Sequence, residues 1–480
     1  GQTIGNVARA MGDTGSARMK ALGAGAAGLG AYNTYNSLTD KAGNFSPDKA
    51  TGFSVNVSAG SSKSSTTTTE TTDTARGSRV GAGGDVSIVV SGQGEGSDLR
   101  VRGSDVAAGH QATLRADGDV ILESAQDSAT YSQNSSSRSA SVGMSAGFGA
   151  GTTGLGFNAS ASRGSGSGAG QDVAHTNTHV TGGDSVSVRS GGDTDLRGAA
   201  VAAPQVTLDV GGDLAIESRQ DTSSYHASSK SAGGSISFSP AGVPTGGSVS
   251  AGRTRTDSEY ASVGETSGIQ AGDGGFDVRV KGDTDLHGGV IAIADKAVEK
   301  GRNRFETGGT LTTTDIQNRA DYSASGWSAS ASYSAAGKDS NGNTIDAKPG
   351  GSAGIGSDSG SASSTTRSGI SGIAGDEAVR STDGTSGIGR IFDRERVERE
   401  VNAQVTITAE FGKQASKAVG DYATRRYNEL KDTDPEEAAK WAEGGIYRVL
   451  AHTTIGALTG GTAGAAGAGM APLSADYINQ

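Results

Sequence analysis

Short runs of alternating apolar and polar residues recur through the middle of the chain. Val186 and Val188 flank one polar residue, and Val206 and Leu208 repeat the arrangement further along. Alternation places every second side chain on one face of a strand. Two short strands in each stretch of roughly 20 residues predict the coils of a right-handed parallel β-solenoid, with Val, Ile and Leu inside. A compact β-sandwich, in which turns come at shorter intervals, is the weaker alternative.

A longer repeat encloses these coils. Tyr131, Tyr225 and Tyr322 end three similar blocks and lie 94 and 97 residues apart. The 20-residue step is 25 in the third block, from Val280 to Phe305, which indicates an insertion near residues 295–303. Self-similarity at a fixed period is the mark of a repeat architecture, so we predict four related units.

Serine- and glycine-rich stretches separate the blocks, at residues 139–151, 233–242 and 325–337. They alternate small or apolar residues with polar ones, and each returns through a second arm. We predict β-hairpins that project from the solenoid; the alternative is a disordered linker, whose composition is similar. The Gly-Gly-Asp and Gly-Asp-Thr-Asp tracts predict turns in which glycine adopts positive φ and aspartate bonds nearby amides.

Both ends of the chain differ from the middle. Residues 1–50 are rich in glycine and alanine at helical spacing. From about Ile388 apolar residues recur every four positions, as in a helix, and a second helix is predicted to begin at the N-cap Asp434. Residues 446–473 are mostly alanine and glycine, which suits close helix packing in a membrane or a flexible linker. The predicted domains are residues 1–50, the repeats at 51–387, and an α-helical tail at 388–480.

Composition narrows the classes of function. Glycine supplies 79 of 480 residues and hydrophobic residues only 33%, so the core must be thin. The net charge is −11 with both signs mixed, and we find no basic patch that would suggest nucleic acid. The absence of cysteine excludes disulfides and cysteine chemistry. The chain opens at Gly1 without a signal peptide, so we expect a fragment of a longer protein.

Two serine and glycine patterns imitate enzyme motifs. Ser145 lies in GMSAG, a nucleophile-elbow pattern, but without the strand-to-helix setting that the elbow requires. Gly149, Gly151 and Gly154 match a dinucleotide-binding spacing within the same low-complexity tract. We assign neither motif a function and predict no catalytic or cofactor-binding residue and no cofactor.

Metal-ligating patterns are equally weak. His175 and His179 are four apart in a predicted strand and turn, where they do not share a helix face. Asp339, Asn341 and Asn343 resemble a calcium loop that lacks its glycine at the sixth position. Recurrent aspartates suit either turn bonding or weak calcium binding, and turn bonding is the default; they are Asp193, Asp195, Asp283 and Asp285. We predict no metal site.

The repeat blocks resemble a known family. GGDVSI, GGDTDLRGAAV and DLAIESRQDTSSY, and above all residues 259–318, resemble the haemagglutinin-type repeats of two-partner-secreted exoproteins of the filamentous haemagglutinin family. More narrowly, they are similar to CdiA-type contact-dependent growth inhibition toxins. HTTIGALTGGTAGAAGAGMAP is similar to the pretoxin segment that precedes the toxin domain there. The family's VENN motif and a toxin domain are missing from this sequence.

The resemblance implies a function and partners. The expected function is a non-enzymatic repeat region that assists delivery of a C-terminal toxin domain across the target-cell outer membrane. The implied partners are that membrane, a two-partner secretion transporter acting on an N-terminal part, and a downstream toxin domain with its immunity protein. The implied location is the periplasm before export, then the surface of a Gram-negative bacterium and the target envelope. The alternative is the stalk or binding surface of a filamentous adhesin.

Overall fold

The computed structural model describes residues 2–38, 52–149, 154–338, 344–345 and 347–459. Strands account for 55% of the structure and helices for 22%, so the prediction of a mostly β protein is confirmed. Three large sheets dominate, and a two-stranded one joins Gly337–Lys338 to Thr344–Ile345.

Two sheets are built from short strands that pair in parallel. The first, which we call the broad sheet, has twelve strands, which are Arg79–Ala82, Val86–Val90, Asp105–Ala108, Gln111–Ala116, Thr178–Gly182, Ser185–Ser190, Ala199–Val210, Gly268–Val280, Val290–Ile293, Asn303–Thr307, Gly369–Ile370 and Ala374–Gly375. The narrow sheet has six, which are Leu99–Arg102, Val120–Glu123, Thr194–Arg197, Leu214–Glu217, Thr284–His287 and Leu311–Thr314. Only the last pair of the broad sheet is antiparallel.

Equivalent strands stack in the order in which the chain makes them. Val188 lies opposite Leu208 in parallel register, and Leu196 lies opposite Ile216 in the narrow sheet, as their spacing along the chain predicted. Apolar side chains of successive strands therefore form continuous rows inside the stack. One row consists of Ile88, Leu114, Val188, Leu208, Val278 and Phe305, of which the two end members are partly buried and the other four are buried.

The predicted step of the third block is wrong by two residues. Phe305 lies opposite Val278 rather than Val280, and Leu311 lies opposite Thr284 rather than Leu286. The step is therefore longer than predicted, and it equals the 27 residues that separate Asp283 from its bonded partner Thr310. A short helix, Asp295–Glu299, occupies the predicted insertion. Alternation alone admits a shift of two, because such a shift keeps every side chain on the same face.

Aspartates form a ladder along one corner of the stack. Asp193 Oδ1 accepts a 2.8 Å hydrogen bond from the backbone N–H of Asp213, the equivalent residue 20 positions further along the chain. The same bond recurs at 2.6–2.9 Å along the series Asp98, Asp119, Asp193, Asp213, Asp283 and the N–H of Thr310. Each carboxylate thus satisfies a backbone donor at a turn where sheet pairing is interrupted.

The glycines beside this ladder have a different purpose from the predicted one. Gly192 and Gly212 are not among the glycines with positive φ. A Cβ on Gly212 would instead overlap the carboxylate of Asp193, and one on Gly192 would overlap Asp119. Close approach of the equivalent turn, rather than left-handed backbone, requires glycine before these aspartates.

The serine- and glycine-rich stretches form the third sheet, which we call the hairpin sheet. Its seven antiparallel strands in spatial order are Gly52–Asp73, Ala125–Gly149, Gly154–Thr176, Gln220–Phe238, Pro244–Val263, Ile316–Ser334 and Lys348–Thr366. Three hairpins leave the stack after Glu123, Glu217 and Thr314, which end every second strand of the narrow sheet. The hairpins pair side by side, so they are one continuous sheet rather than three separate projections.

Helices flank the sheets at both ends of the chain. The N-terminal helices are Gln2–Asp13 and Ala17–Leu38. The longest helix, which we call the long helix, is Arg394–Leu430; it begins six residues later than the predicted Ile388, with Asp393 as its N-cap. Pro435–Ala439 is capped by Asp434 as predicted, and a last helix covers 446–459. None of the helices described is long and apolar enough to cross a membrane.

Candidate interaction surfaces of the hairpin sheet

The register of the hairpin sheet places the three repeated tyrosines in one row. Tyr131 lies opposite Gly170, which lies opposite Tyr225, and the row continues through Ser258 to Tyr322. Directly opposed residues share a face of a sheet. We call the face that carries these tyrosines the covered face. The tyrosines therefore belong to the hairpins and not to the coils that precede them.

Residues just before and at the start of the long helix bind this tyrosine row. The Arg394 guanidinium lies 5.4 Å from the ring centre of Tyr131 and 5.2 Å from that of Tyr225. Arg396 donates a 2.9 Å hydrogen bond to the Tyr322 hydroxyl. Phe392 packs between the rings of Tyr225 and Tyr322, at 5.6 and 5.8 Å. Burial raises the pKa of Tyr225, so it stays neutral beside these cations.

The long helix then crosses the covered face on glycines. A Cβ on Gly354 would overlap the backbone oxygen of Val405, and one on Gly356 would overlap that of Val401. Any larger residue at these two positions of the sheet would therefore lift the helix away. Val397 and Val401 are buried against Ala324 in the interface.

The same helix protects the edge of the hairpin sheet. In Lys348–Thr366, the edge strand, the N–H of Ile355 donates to Thr408 Oγ1 at 2.9 Å and the N–H of Ser357 donates to Gln404 Oε1 at 3.0 Å. These helix side chains replace the missing neighbouring strand. At the other edge, Gly52–Asp73, every residue with described burial is exposed.

The N-terminal helices pack on the long helix. Glu400 accepts 2.6 Å hydrogen bonds from Thr14 Oγ1 and the N–H of Gly15. Burial acts to raise the pKa of Glu400, but these bonds and one from Gln404 outweigh it, and the pKa lies below its ordinary value. Asn33 donates to Gln414 at 2.9 Å. The N-terminal helices are thus joined to the long helix.

The opposite face of the hairpin sheet, which we call the exposed face, carries a band of apolar side chains. Val57 lies opposite Met144, which lies opposite Phe157, in a row that the register assigns to this face. The exposed members of the band are Val55, Val57, Val142, Met144, Leu155, Phe157, Ile236, Val249, Trp327, Tyr333 and Ile355. The exposed large apolar side chains of these strands therefore all lie on one face. An apolar patch of this kind marks a binding surface.

The histidines that the sequence singled out lie next to carboxylates, but only His179 is hydrogen-bonded to them through its ring. His179 Nε2 lies 2.9 Å from Glu265 Oε1, and its Nδ1 lies 3.1 Å from Asp105 Oδ1. The bond with Glu265 raises the pKa of His179 to about 9. His175 Nδ1 lies 3.5 Å from Asp221 Oδ1. In the described part of the chain no group of three or more acidic or histidine side chains is arranged to hold a metal ion.

The other candidate residues lie in strands, in the ladder or outside the described residues. Ser145 is within the strand Ala125–Gly149, opposite Gly156, and strand residues follow it as far as Gly149. Asp193 and Asp283 belong to the aspartate ladder, whereas Asp195 pairs with Arg197 at 3.2 Å. The predicted loop of Asp339, Asn341 and Asn343, and Gly151, lie outside the described residues.

About two thirds of the chain is similar to known proteins. Residues 57–232 match the haemagglutinin repeat family. A tRNA nuclease CdiA of Yersinia mollaretii is 35% identical over 322 residues, covering 65% of this chain and 10% of that protein. One of Escherichia coli strain NC101 is 36% identical, covering 66% and 10%. A deoxyribonuclease CdiA of Dickeya dadantii is 33% identical, covering 66% and 9%.

These relatives are much longer than the matched region. The chain spans about a tenth of the length of the three proteins. No solved structure matches the chain.

Proposed function

We propose, on the premise that this chain is a CdiA-type haemagglutinin-repeat sequence, that it assists delivery of a C-terminal toxin domain across the target-cell outer membrane. The observation that carries the proposal is the two-sided hairpin sheet. Its exposed face presents an apolar band, and its covered face holds the start of the C-terminal helical region. In this proposal the exposed face of the sheet contacts the envelope, and its covered face binds the helical region that precedes the toxin domain.

In this proposal the stacked parallel strands and the terminal helices support the hairpin sheet. We propose that the stacked parallel strands wind as a right-handed β-solenoid and act as the scaffold from which the hairpins arise. The division into residues 1–50, 51–387 and 388–480 then separates a helical brace, the repeat region and a pretoxin-like tail. The bonds of Glu400 with Thr14 and Gly15 support the bracing role of the N-terminal helices.

The proposal assigns this region no catalysis. Ser145 is half-buried in a hairpin strand, and its hydroxyl contacts the backbone oxygen of Gly156 on the neighbouring strand at 3.4 Å rather than a base. His179 is committed to two carboxylates. In this scheme enzymatic activity belongs to a downstream toxin domain with its immunity protein, and export belongs to a two-partner secretion transporter that acts on an N-terminal part.

A co-culture of producer and target cells tests the proposal. A full-length parent protein with Val57, Met144, Phe157 and Ile236 replaced by serine should be secreted and should attach to target cells normally. Toxin entry should fall at least tenfold, because the apolar contact with the envelope is removed. The matched control replaces Val80 and Val89, which are equally exposed but lie in the broad sheet, and it should keep full entry.

The adhesin alternative gives the opposite result. If the hairpin variant loses attachment while entry per attached cell is unchanged, the region is a binding stalk and the delivery proposal is wrong. Normal entry by the hairpin variant would also contradict the proposal.

A further inference from the structure

Six cations lie together on the exposed face, beside the apolar band. They are Lys63, Arg138, Arg163, Lys230, Arg253 and Arg255, and all are exposed. In sequence they are scattered over almost 200 residues, so the sequence showed no basic patch. The register of the hairpin sheet brings them into three neighbouring rows, and the expectation of no basic patch is wrong for the folded chain. We call this group the basic belt.

Like charges face each other directly within the belt. Lys63 lies opposite Arg138, and Arg138 lies opposite Arg163, on three successive strands. Lys230 lies opposite Arg253 on the next two strands of the hairpin sheet. Directly opposed like charges destabilise a sheet. Two such groups on one face are costly unless an anion lies between the cations.

Carboxylates on the chain do not neutralise most of the belt. Arg255 pairs with Asp257 at 2.7 Å. Within the described residues, the other five cations form no ion pair. The cross-strand rows of the exposed face that start at Val57 through Thr67 of the strand Gly52–Asp73 contain no Asp or Glu. The chain as a whole has a net charge of −11, so this excess of cations is local.

We propose that the basic belt binds the phosphate groups of a lipid surface while the apolar band contacts the same surface. The inference rests on the proposed envelope contact and specifies its chemistry. Guanidinium groups match phosphate oxygens in geometry and charge. Met144 and Arg138 are six residues apart on one strand, or about 20 Å, so apolar and basic side chains reach one surface together. Nucleic acid would satisfy the cations but leaves the adjoining apolar band without a partner.

The sheet lies on the lipid surface with its exposed face and does not enter the hydrocarbon. The strand Gly52–Asp73 pairs on one side only, so its other edge presents unpaired backbone groups. Such groups are excluded from hydrocarbon because nothing there bonds them. Each cation at an anionic surface contributes about fivefold to partition at moderate salt.

Sedimentation of the purified 480-residue chain with vesicles tests the belt. The probes are phosphatidylcholine vesicles with and without phosphatidylglycerol. The belt variant replaces Arg138, Arg163, Lys230 and Arg253 by glutamine. The control replaces Arg76, Arg79, Lys281 and Lys300 by glutamine, which gives the same change in net charge at positions outside the belt. Partition to anionic vesicles should fall at least tenfold for the belt variant and less than twofold for the control.

Further arms separate the sources of phosphate and the two proposals. Inorganic phosphate at the same phosphate concentration should not displace the chain, and the belt variant should melt no lower than the wild type, because its repulsion is relieved. Unchanged vesicle binding by the belt variant overturns the proposal that the belt binds lipid phosphate. The hairpin variant, in which apolar residues of the band are replaced by serine, tests the envelope contact separately. Displacement of the chain from vesicles by DNA at equal phosphate assigns the belt to nucleic acid and overturns the proposal. Absence of any vesicle binding overturns both.

Discussion

Val188 and Leu208 lie side by side in adjacent parallel strands, 20 residues apart in the chain, and both are almost fully buried. The same relationship repeats from strand to strand, so the core of the two parallel sheets is one cluster built from parallel rows. Each row is one side chain wide. A lean composition, with 33% hydrophobic residues, is therefore sufficient for a 480-residue chain.

A charge inside a row should disrupt it. Val206 is fully buried, so Val206→Asp leaves a carboxylate without partners and should lower the free energy of unfolding by about 3–5 kcal/mol. Ser187→Asp on the outward side of the adjacent strand is the control and should cost less than about 1 kcal/mol. Urea unfolding of the stack followed by circular dichroism measures both. Equal effects of the two variants would contradict the assignment of inward and outward faces.

The aspartate ladder should couple Asp193 to Gly212. Asp193→Ala removes the bond to the N–H of Asp213 and should cost about 1 kcal/mol. Gly212→Ala places a methyl group against the Asp193 carboxylate and should cost about 1–3 kcal/mol. The double variant should be more stable than the sum of the two losses predicts, because the clash needs the carboxylate. A double-mutant cycle by chemical unfolding measures this coupling, and strict additivity would refute it.

Removal of the Arg394 guanidinium should weaken the packing of the long helix on the covered face. Arg394→Ala deletes the contacts with Tyr131 and Tyr225, and should weaken docking by about 1–2 kcal/mol. Hydrogen exchange should accelerate in residues 394–412 while the broad sheet is unaffected. Arg399→Ala, which removes only an exposed pair with Glu395, is the control. Faster exchange in both variants alike would show that Arg394 has no special role.

His179 should make stability depend on pH. Its folded pKa of about 9 exceeds the ordinary value of 6.5, so its contribution is fully present below pH 6.5 and is lost as the pH rises through 9. The side chain is partly exposed, and the contribution should be about 1 kcal/mol or less. The melting temperature of wild type should exceed that of His179→Gln at pH 6, and the difference should vanish at pH 10. A difference that grows with pH would contradict the assigned ion pairs.

The pairing of the short parallel strands could be predicted from sequence, because the alternation of inward and outward positions is encoded there. Val188 and Leu208 alternate with polar residues, and that pattern admits few pairings. The position of Phe305 opposite Val278 was missed by two residues, since alternation repeats with that period. The glycines before the aspartates were recognised, but the reason for them depends on a neighbouring coil that the sequence does not identify.

The candidate surfaces were harder to predict than the core. The three tyrosines were visible as a repeat, yet their binding of Arg394 joins residues more than 160 positions apart. Alternating serine and glycine predicts a strand without specifying its partner, so the union of three hairpins in one sheet carries no sequence signal. The apolar band and the basic belt exist only after that sheet is assembled.

Toxin entry by a parent protein with shortened hairpins shows whether the hairpin sheet acts in delivery. Deletion of 139–162 and of 233–250 cuts two hairpins at cross-strand pairs, which removes most of the apolar band but keeps the tyrosine row and the stacked coils. Entry and attachment are measured in the same co-culture, with protease accessibility of the C-terminal region on target cells. If the hairpin sheet acts in delivery, secretion and attachment are normal and toxin entry per attached cell falls at least tenfold. Unchanged entry per attached cell, with or without a loss of attachment, would contradict that role.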